Sequence, residues 1–217
     1  MSRDPLHGRG ARTNAGGRYE RFVTEAFDDG WGPEEVAPLE TIVTPELAKS
    51  IISTNASPDI SFEQSINPYR GCEHGCIYCY ARPNHAYVGL SPGLDFETKL
   101  FVKANAAELL EAAFAKPSYR PKTIMLGGVT DIYQPIERGY GVTRALLEVM
   151  ERWRHPVSLI TKSQLILRDI DVLARLAERG LAKAAISVTT LDRRIARVME
   201  PRAAAPHRRI EVIRALT

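Results

Sequence analysis

Three cysteines, Cys72, Cys76 and Cys79, lie within eight residues in the spacing C-x3-C-x2-C, and they are the only cysteines of the chain. Thiolates are soft ligands that favour iron–sulfur clusters or zinc. A [4Fe–4S] cluster normally takes four cysteines, so three thiolates leave one iron without a protein ligand. Such an iron can bind a small chelating molecule, which an electron-transfer ferredoxin does not need. The spacing therefore predicts a cluster with one open iron.

A structural zinc site is the alternative interpretation of this segment. His74 would complete a Cys3His ligand set. All four ligands would then lie within eight residues, and the metal would connect no distant parts of the chain, so we favour the cluster. Gly71 and Gly75 indicate a turning loop, which argues against three unrelated core cysteines.

Length and composition restrict the class of protein. The chain has 217 residues, of which 44% are hydrophobic and 25% charged, and a formal net charge of +3. These values are typical of a globular protein with one sizeable core. No apolar run of about 18 residues predicts a membrane span, and residues 1–22 do not resemble a secretory signal. Together with the clustered thiols, this predicts the reducing cytoplasm as the compartment, and we separately expect a monomer.

Three regions of the chain differ in composition and in the periodicity of their apolar residues. Residues 1–20 contain arginines among glycines, which predicts a disordered basic tail. Residues 21–57 are interrupted by prolines and predict an irregular wrapping segment with one short helix near Glu46–Ile51. Residues 58–217 show regular alternation and predict the folded core.

Short apolar segments alternate with helical patterns throughout this core. The predicted strands are Ser61–Asn67, Lys122–Gly127, Val157–Thr161 and Ala184–Thr189, and the predicted helices begin near Asn105, Thr143, Asp169 and Pro206. Strands that alternate with helices form a parallel sheet with right-handed crossovers. The sequence therefore predicts an α/β fold of about four β/α units. An eight-stranded barrel needs ~250 residues, and the last helix has no C-cap, so we expect a C-terminally truncated chain.

The cysteine segment NPYRGCEHGCIYCY, with an aromatic residue before Cys79, resembles the signature of the radical S-adenosylmethionine (radical SAM) superfamily. TDIYQPIE (130–137), ITKS (160–163), LILRDIDVL (165–173) and MEPR (199–202) are similar to its spore photoproduct lyase-like branch. That branch includes bacterial proteins described as DNA repair photolyases. The resemblance extends over residues 60–217.

The resemblance implies a partial TIM-type (β/α)6 barrel with a [4Fe–4S] cluster on the loop after the first strand. It also implies that the open iron binds S-adenosylmethionine (AdoMet). Reductive cleavage of AdoMet would give a 5′-deoxyadenosyl radical, with electrons from a donor such as flavodoxin or ferredoxin. The substrate is not indicated, and nucleic acid is one candidate.

Cofactor-site residues follow from the same resemblance. Gly127 and Gly128 are similar to a Gly-Gly-Glu segment whose backbone receives the methionine amino group. Val129 replaces the acid, which leaves Thr130 or Asp131 as the nearest polar residue. The other candidate AdoMet contacts are Tyr78, Lys162, Ser187, Thr189, Glu200 and Arg202. A tight turn at the glycines, backbone-bonded hydroxyls and a solvated Arg202 are the alternative interpretations.

Spore photoproduct lyases have an additional cysteine that returns hydrogen to the product radical, and this chain has none outside the triad. A tyrosine, a missing C-terminal part or a different substrate would account for this, and we favour the different substrate. A non-catalytic iron–sulfur or zinc module that binds nucleic acid is the second hypothesis. It depends on the basic tail and on Arg193, Arg194, Arg197, Arg202, Arg208 and Arg209.

Overall fold

A computed structural model describes residues 6–20 and 39–217 of the chain. The strands are β1 (Ile42–Glu46), β2 (Ile52–Thr54), β3 (Gln64–Ile66), β4 (Tyr69–Arg70), β5 (Lys99–Lys103), β6 (Ile124–Leu126), β7 (Val157–Thr161) and β8 (Ala182–Ile186). The helices are α1 (Asp95–Thr98), α2 (Ala106–Phe114), α3 (Glu137–Tyr140), α4 (Val142–Arg152), α5 (Ile170–Ala177), α6 (Arg193–Met199) and α7 (Pro206–Leu216). Two 3-10 segments cover Arg82–Val88 and Gln164–Asp169.

The main sheet has five strands in the order β2-β3-β6-β7-β8. Its last four strands are parallel, and β2 runs antiparallel to β3. Helices α2, α4 and α5 lie in the connections between the parallel strands. The predicted α/β fold of four β/α units is confirmed, and the open sheet corresponds to part of a barrel.

The two faces of β6 and β7 have different roles. Ile124, Leu126 and Leu159 are fully buried in the core that the sheet shares with the helices. Met125 and Ile160, which alternate with them, line a cavity on the other face. Because side chains alternate along a strand, the same strands build the core and the wall of a site.

A second sheet, which the sequence analysis missed, joins β1, β5 and β4. Its central strand β5 alternates between buried and partly exposed positions, and Leu100 and Val102 are fully buried. The strand β4 in this sheet leads directly into the cysteine segment. The second sheet therefore supports that segment from outside the main sheet.

Parts of residues 6–20 and 39–57 differ from their prediction. The predicted helix near Glu46–Ile51 is wrong, because β1 ends at Glu46 and β2 begins at Ile52 with no helix between them. In the predicted tail, Arg9 is buried and donates a 2.9 Å hydrogen bond to the Glu97 carbonyl oxygen. Hydrogen bonds thus join residues 9–15 to residues 91–97, whereas the rest of the predicted tail (1–5) and much of the wrapping segment (21–38) lie outside the described residues.

The fourth predicted strand also ends earlier than expected. Strand β8 stops at Ile186, so Ser187 and Thr189 follow the strand and do not share a strand face. None of the helices in the described ranges combines the length and hydrophobicity that a bilayer crossing requires.

Candidate functional site

Residues 71–80, called the cysteine loop below, leave β4 through a glycine turn. Gly71 has a φ of +73°, and a Cβ there would lie 2.8 Å from the Phe96 carbonyl oxygen and 2.5 Å from a methyl carbon of Leu100. Glycine is the residue that tolerates both this conformation and this approach. The Cys72 amide donates to the same Phe96 oxygen at 2.9 Å, which fixes the first cysteine against α1.

The cysteine loop is also bonded to the segment after α6. The Ile77 amide donates to the Met199 carbonyl oxygen at 3.0 Å, and the Arg202 amide donates to the His74 carbonyl oxygen at 3.2 Å. The loop is therefore held between α1 on one side and residues 199–202 on the other.

All three cysteines line one cavity of ≈ 510 Å³, called the cofactor cavity below. It is bounded by the residues that follow β6, β7 and β8. The predicted site residues that also line it are Tyr78, Gly127, Gly128, Asp131, Lys162 and Ser187. The carboxyl ends of parallel strands meet at one edge of a sheet, which explains why these residues come together. Thr189, Glu200 and Arg202 do not line this cavity.

Cys72 and Cys76 are buried, and Cys79 is partly exposed. In the described part of the chain, no three His, Cys, Asp or Glu side chains are placed to hold one metal ion. Burial raises the pKa of the Cys72 thiol and raises that of Cys76 to about 11. Loss of a proton is therefore harder for these two thiols than for an exposed cysteine.

Asp131 connects three parts of the site. Its carboxylate accepts hydrogen bonds from the Thr161 hydroxyl at 2.6 Å and from the Lys162 amide at 2.8 Å, and it lies 3.3 Å from the His74 Nδ1. Burial alone would raise the pKa of Asp131, but His74 and these donors lower it to about 2. The ionised carboxylate therefore ties the ends of β6 and β7 to the cysteine loop.

The two predicted glycines have separate roles. Gly127 has a φ of +86°, and a Cβ there would lie 2.6 Å from the Ile160 carbonyl oxygen, so this glycine permits a close approach of β6 and β7. Gly128 lines the cofactor cavity, and its carbonyl oxygen accepts a hydrogen bond from the Tyr80 hydroxyl. Thr130 was, with Asp131, the other candidate to replace the acid of the Gly-Gly-Glu segment. It is buried, and its hydroxyl donates a hydrogen bond to the Tyr69 carbonyl oxygen.

Glu200 is placed beneath Tyr78. One carboxylate oxygen of Glu200 accepts a hydrogen bond from the Tyr78 hydroxyl and a second one, 2.7 Å long, from the Thr189 hydroxyl. The other oxygen lies 2.5 Å from the guanidinium of Arg209, and both charged side chains are buried. Burial raises the pKa of Glu200, but Arg209 and Tyr78 outweigh it and lower the pKa overall. In this structure Glu200 and Thr189 contact Tyr78 rather than the cavity.

Arg209 was missed by the sequence analysis as a site residue. It is 1% exposed and donates to the carbonyl oxygens of Ala204 at 2.7 Å and Ser187 at 3.0 Å. The sequence feature that could have indicated its burial is its position three residues before Val212, because both residues lie on the inner face of α7. Arg209 thereby fixes the backbone of Ser187 at the cavity.

Two further cationic candidates have different surroundings. Arg202 pairs with Glu73 at 3.2 Å, on the cysteine loop but outside the cavity lining. Lys162 lines the cavity, with its Nζ 5.9 Å from the centre of the Tyr78 ring. Of these two, Lys162 is the one that faces the cavity.

A buried network supports the cysteine loop from the N-terminal segment. The fully buried carboxylate of Glu97 accepts hydrogen bonds from the backbone amides of Gly10, at 2.9 Å, and Ala11, at 2.8 Å. The same carboxylate lies 2.5 Å from the guanidinium of Arg82, which donates to the Cys76 carbonyl oxygen at 3.0 Å. No local sequence pattern indicates the contact with the N-terminal segment, because Gly10 and Ala11 lie more than 80 residues from Glu97.

The comparison with protein families agrees with this geometry. The sequence profile of the radical SAM superfamily matches residues 66–217, which include the cysteine loop and all four parallel strands except the first residues of β3. This chain belongs to the radical SAM superfamily. Members of that superfamily are enzymes of radical chemistry, as the sequence predicted.

Curated proteins of uncharacterised function match about 70% of this chain. An uncharacterised protein of Mycobacterium tuberculosis is 35% identical over 157 residues, which are 72% of this chain and 46% of the relative. An uncharacterised protein of Methanocaldococcus jannaschii is 27% identical over 151 residues, 70% of this chain and 54% of the relative. The chain spans about half the length of these curated relatives.

Solved structures of spore photoproduct lyase have a similar fold. A cysteine-to-serine variant matches with a TM-score of 0.57 and 17% identity, over 80% of this chain and 47% of the lyase. A variant with bound AdoMet and dinucleoside spore photoproduct matches with a TM-score of 0.59 and 15% identity over the same shares. At this identity the likeness shows the fold.

Proposed function

We propose that this chain carries the cluster and AdoMet site of a radical SAM enzyme. Cys72, Cys76 and Cys79 would each bind one iron of a [4Fe–4S] cluster, and the fourth iron would bind AdoMet. When bound, this pair supplies reductive cleavage of the C5′–S bond of AdoMet to methionine and a 5′-deoxyadenosyl radical. The observation that carries the proposal is that all three thiols line one cavity with the residues that follow β6, β7 and β8.

The remaining cavity residues would hold and orient AdoMet. Lys162 is a cation in the cavity and would pair with the methionine carboxylate. Gly128 has no side chain, so a ligand can reach its backbone. Ser187 would offer its hydroxyl, and Tyr78, fixed by Glu200, would offer an aromatic face to adenine.

Asp131 and Glu200 would act through other residues. Asp131 is saturated with hydrogen bonds from β7 and its loop, and Glu200 is paired with Arg209. We therefore assign both to positioning: Asp131 keeps the cysteine loop against the end of β7, and Glu200 keeps Tyr78 at the cavity. Arg202, paired with Glu73, would hold the cysteine loop rather than bind carboxylate.

Nucleic acid is the substrate class that we propose. Arg193, Arg194 and Arg197 of α6 line a further cavity of ≈ 560 Å³, and Glu200, the one acid among the described residues that line it, is already paired with Arg209. Guanidinium groups recognise phosphate. A spore photoproduct lyase of similar fold has been solved with a dinucleoside spore photoproduct. Binding of an oligonucleotide that weakens steeply with salt would support this class, and salt-independent or absent binding would contradict it.

Iron analysis and spectroscopy test the cofactor assignment. Anaerobic reconstitution is expected to load about four irons per chain. Addition of AdoMet to the dithionite-reduced protein is expected to change the electron paramagnetic resonance signal, because AdoMet binds the open iron. Cys79→Ser is expected to lose the cluster, whereas Ser187→Ala is expected to keep the iron and bind AdoMet more weakly. Stoichiometric zinc without iron would contradict the assignment.

A further inference from the structure

Gln134 lies in the loop that follows β6, and its side chain is fully buried. Its Oε1 accepts a hydrogen bond from the Glu73 backbone amide at 2.9 Å, and its Nε2 donates to the Gly71 carbonyl oxygen at 3.2 Å. These two backbone groups flank Cys72, the first cysteine of the loop. Gln134 is outside the lining of the cofactor cavity. A single side-chain amide therefore holds the backbone on both sides of a cysteine without entering the cavity.

The loop after β6 contacts the same part of the chain at two further points. The carboxylate of Glu137 accepts a hydrogen bond from the Tyr69 hydroxyl, and Asp131 lies 3.3 Å from the His74 Nδ1. The contact of Gln134 lies between these two along the chain. The backbone of Gln134 is itself fixed, because its carbonyl oxygen accepts from the Glu137 amide at 2.9 Å. The loop after β6 is thus a rigid support for the first half of the cysteine loop.

The sulfur of Cys72 receives hydrogen bonds from both of these segments. Burial raises the pKa of the Cys72 thiol, whereas hydrogen bonds from the backbone amides of Asp131 and His74 lower it. His74 follows Glu73, whose amide Gln134 binds, and Asp131 belongs to the same loop as Gln134. Gln134 therefore joins the two segments that carry the donors to this sulfur. Hydrogen bonds to the sulfurs are one of the features that set the reduction potential of an iron–sulfur cluster.

We propose that Gln134 is a positioning residue that keeps the amides of Asp131 and His74 against the Cys72 sulfur and thereby raises the reduction potential of the cluster. This inference rests on the proposed function, since it assumes an iron bound to Cys72. The reduced cluster carries one more negative charge than the oxidised cluster. An N–H group that points at the sulfur stabilises that charge, so the cluster accepts an electron more readily.

The first test is the reduction potential of the iron-loaded protein. Gln134→Met keeps the length of the side chain and removes both hydrogen bonds. It is expected to lower the equilibrium constant for one-electron reduction about tenfold, a shift of about 59 mV to a more negative potential. Mediated titration with dithionite, followed by electron paramagnetic resonance, measures this. Gln64→Met is the matched control, because Gln64 bonds the Tyr119 hydroxyl and not the cysteine loop, and it is expected to keep the wild-type potential.

The sign of the shift distinguishes positioning from a general loosening of the loop. Water that enters around the cluster stabilises the more negative reduced state and raises the potential, whereas loss of donors to the sulfur lowers it. An unchanged or raised potential in Gln134→Met would therefore overturn the inference. Gln134→Asn retains the amide but is one methylene too short to reach both backbone groups. It disturbs the packing less, is expected to shift the potential in the same direction, and decides the question if Gln134→Met loads no iron.

Hydrogen–deuterium exchange of the cluster-free protein gives a second readout, which does not depend on the proposed function. Residues 71–76 should exchange faster in Gln134→Met than in the wild type or in Gln64→Met, because the Glu73 amide has lost its acceptor. Equal exchange rates in the three proteins would overturn the inference. A wild type that loads no iron would contradict the proposed function, whereas a loaded wild type whose potential Gln134→Met leaves unchanged would contradict the inference alone.

Discussion

Glu200 and Arg209 form a buried ion pair, with 2.5 Å between nitrogen and oxygen, directly beneath Tyr78 at the edge of the cofactor cavity. Both side chains are at most 2% exposed. Removal of one partner leaves the other charge buried and uncompensated, which is more destabilising than loss of the pair. This relationship connects α7 to the site, although α7 itself contributes nothing to the cavity lining.

Arg209→Met is expected to reduce the free energy of unfolding by about 3 kcal/mol, because the Glu200 carboxylate remains buried without its partner. Urea denaturation of the cluster-free protein under anaerobic conditions measures this. Arg208→Met is the matched control, since Arg208 pairs with Glu211 on the exposed side of the same helix and is expected to have little effect. A double variant, Glu200→Leu with Arg209→Met, is expected to recover most of the lost free energy of unfolding, because no charge is then buried without a partner. Equal effects of Arg209→Met and Arg208→Met would contradict the buried pair.

Gly71→Ala is expected to prevent the cysteine loop from closing on α1. The new Cβ would collide with the Phe96 carbonyl oxygen, in addition to the strain of a positive φ. Gly89→Ala is a close control, because Gly89 has a φ of +72° but no atom within 4 Å of a Cβ. We expect Gly89→Ala to reduce the free energy of unfolding by about 1 kcal/mol. Gly71→Ala should reduce it several times more and lower iron loading, and equal losses in urea denaturation would rule out the steric contact.

Glu97→Gln is expected to release the N-terminal segment from the cysteine loop. A glutamine keeps one acceptor oxygen and places an NH2 group where the other carboxylate oxygen lay, so at least one of the donors at Gly10, Ala11 and Arg82 would lose its acceptor. Hydrogen–deuterium exchange of residues 9–15 should then become faster than in the wild type. Glu20→Gln, on the exposed part of the same segment, should leave the exchange rates unchanged. Unaltered exchange in Glu97→Gln would mean that other contacts hold the segment.

Asp131→Asn is expected to loosen the connection between β7 and the cysteine loop. An amide has one acceptor oxygen, so one of the donors at Thr161 and Lys162 loses its partner. We expect a loss of about 2 kcal/mol in the free energy of unfolding. Asp171→Asn, which alters an exposed ion pair with Arg144, should have a much smaller effect. Indistinguishable urea midpoints for the two variants would show that Asp131 does not carry this connection.

The sequence predicted the parts of the site that depend on local spacing. The three cysteines are close in the chain, and Gly128 and Lys162 follow parallel strands whose ends must lie side by side. Strand β7 was predicted with its observed bounds because its apolar pattern is bounded by clear turn residues.

Contacts between distant charged residues could not be predicted in the same way. Glu200, Arg202 and Arg209 have the composition of a solvated surface, and only the packing of α7 and of the cysteine loop decides which of them is buried. The support from Arg9 was missed for a similar reason. A glycine-rich basic segment is typical of disorder, and the buried Glu97 that orders it lies 88 residues away along the chain.

Formation of 5′-deoxyadenosine from AdoMet by the dithionite-reduced, iron-loaded protein tests the central claim most directly. Chromatography with mass detection measures the product over time, and Cys72→Ser, Cys76→Ser and Cys79→Ser provide cluster-free controls. We predict that the wild-type protein forms 5′-deoxyadenosine and methionine in equal amounts and that the three variants form neither. A wild-type protein that holds about four irons and binds AdoMet, yet forms no 5′-deoxyadenosine, would contradict the claim.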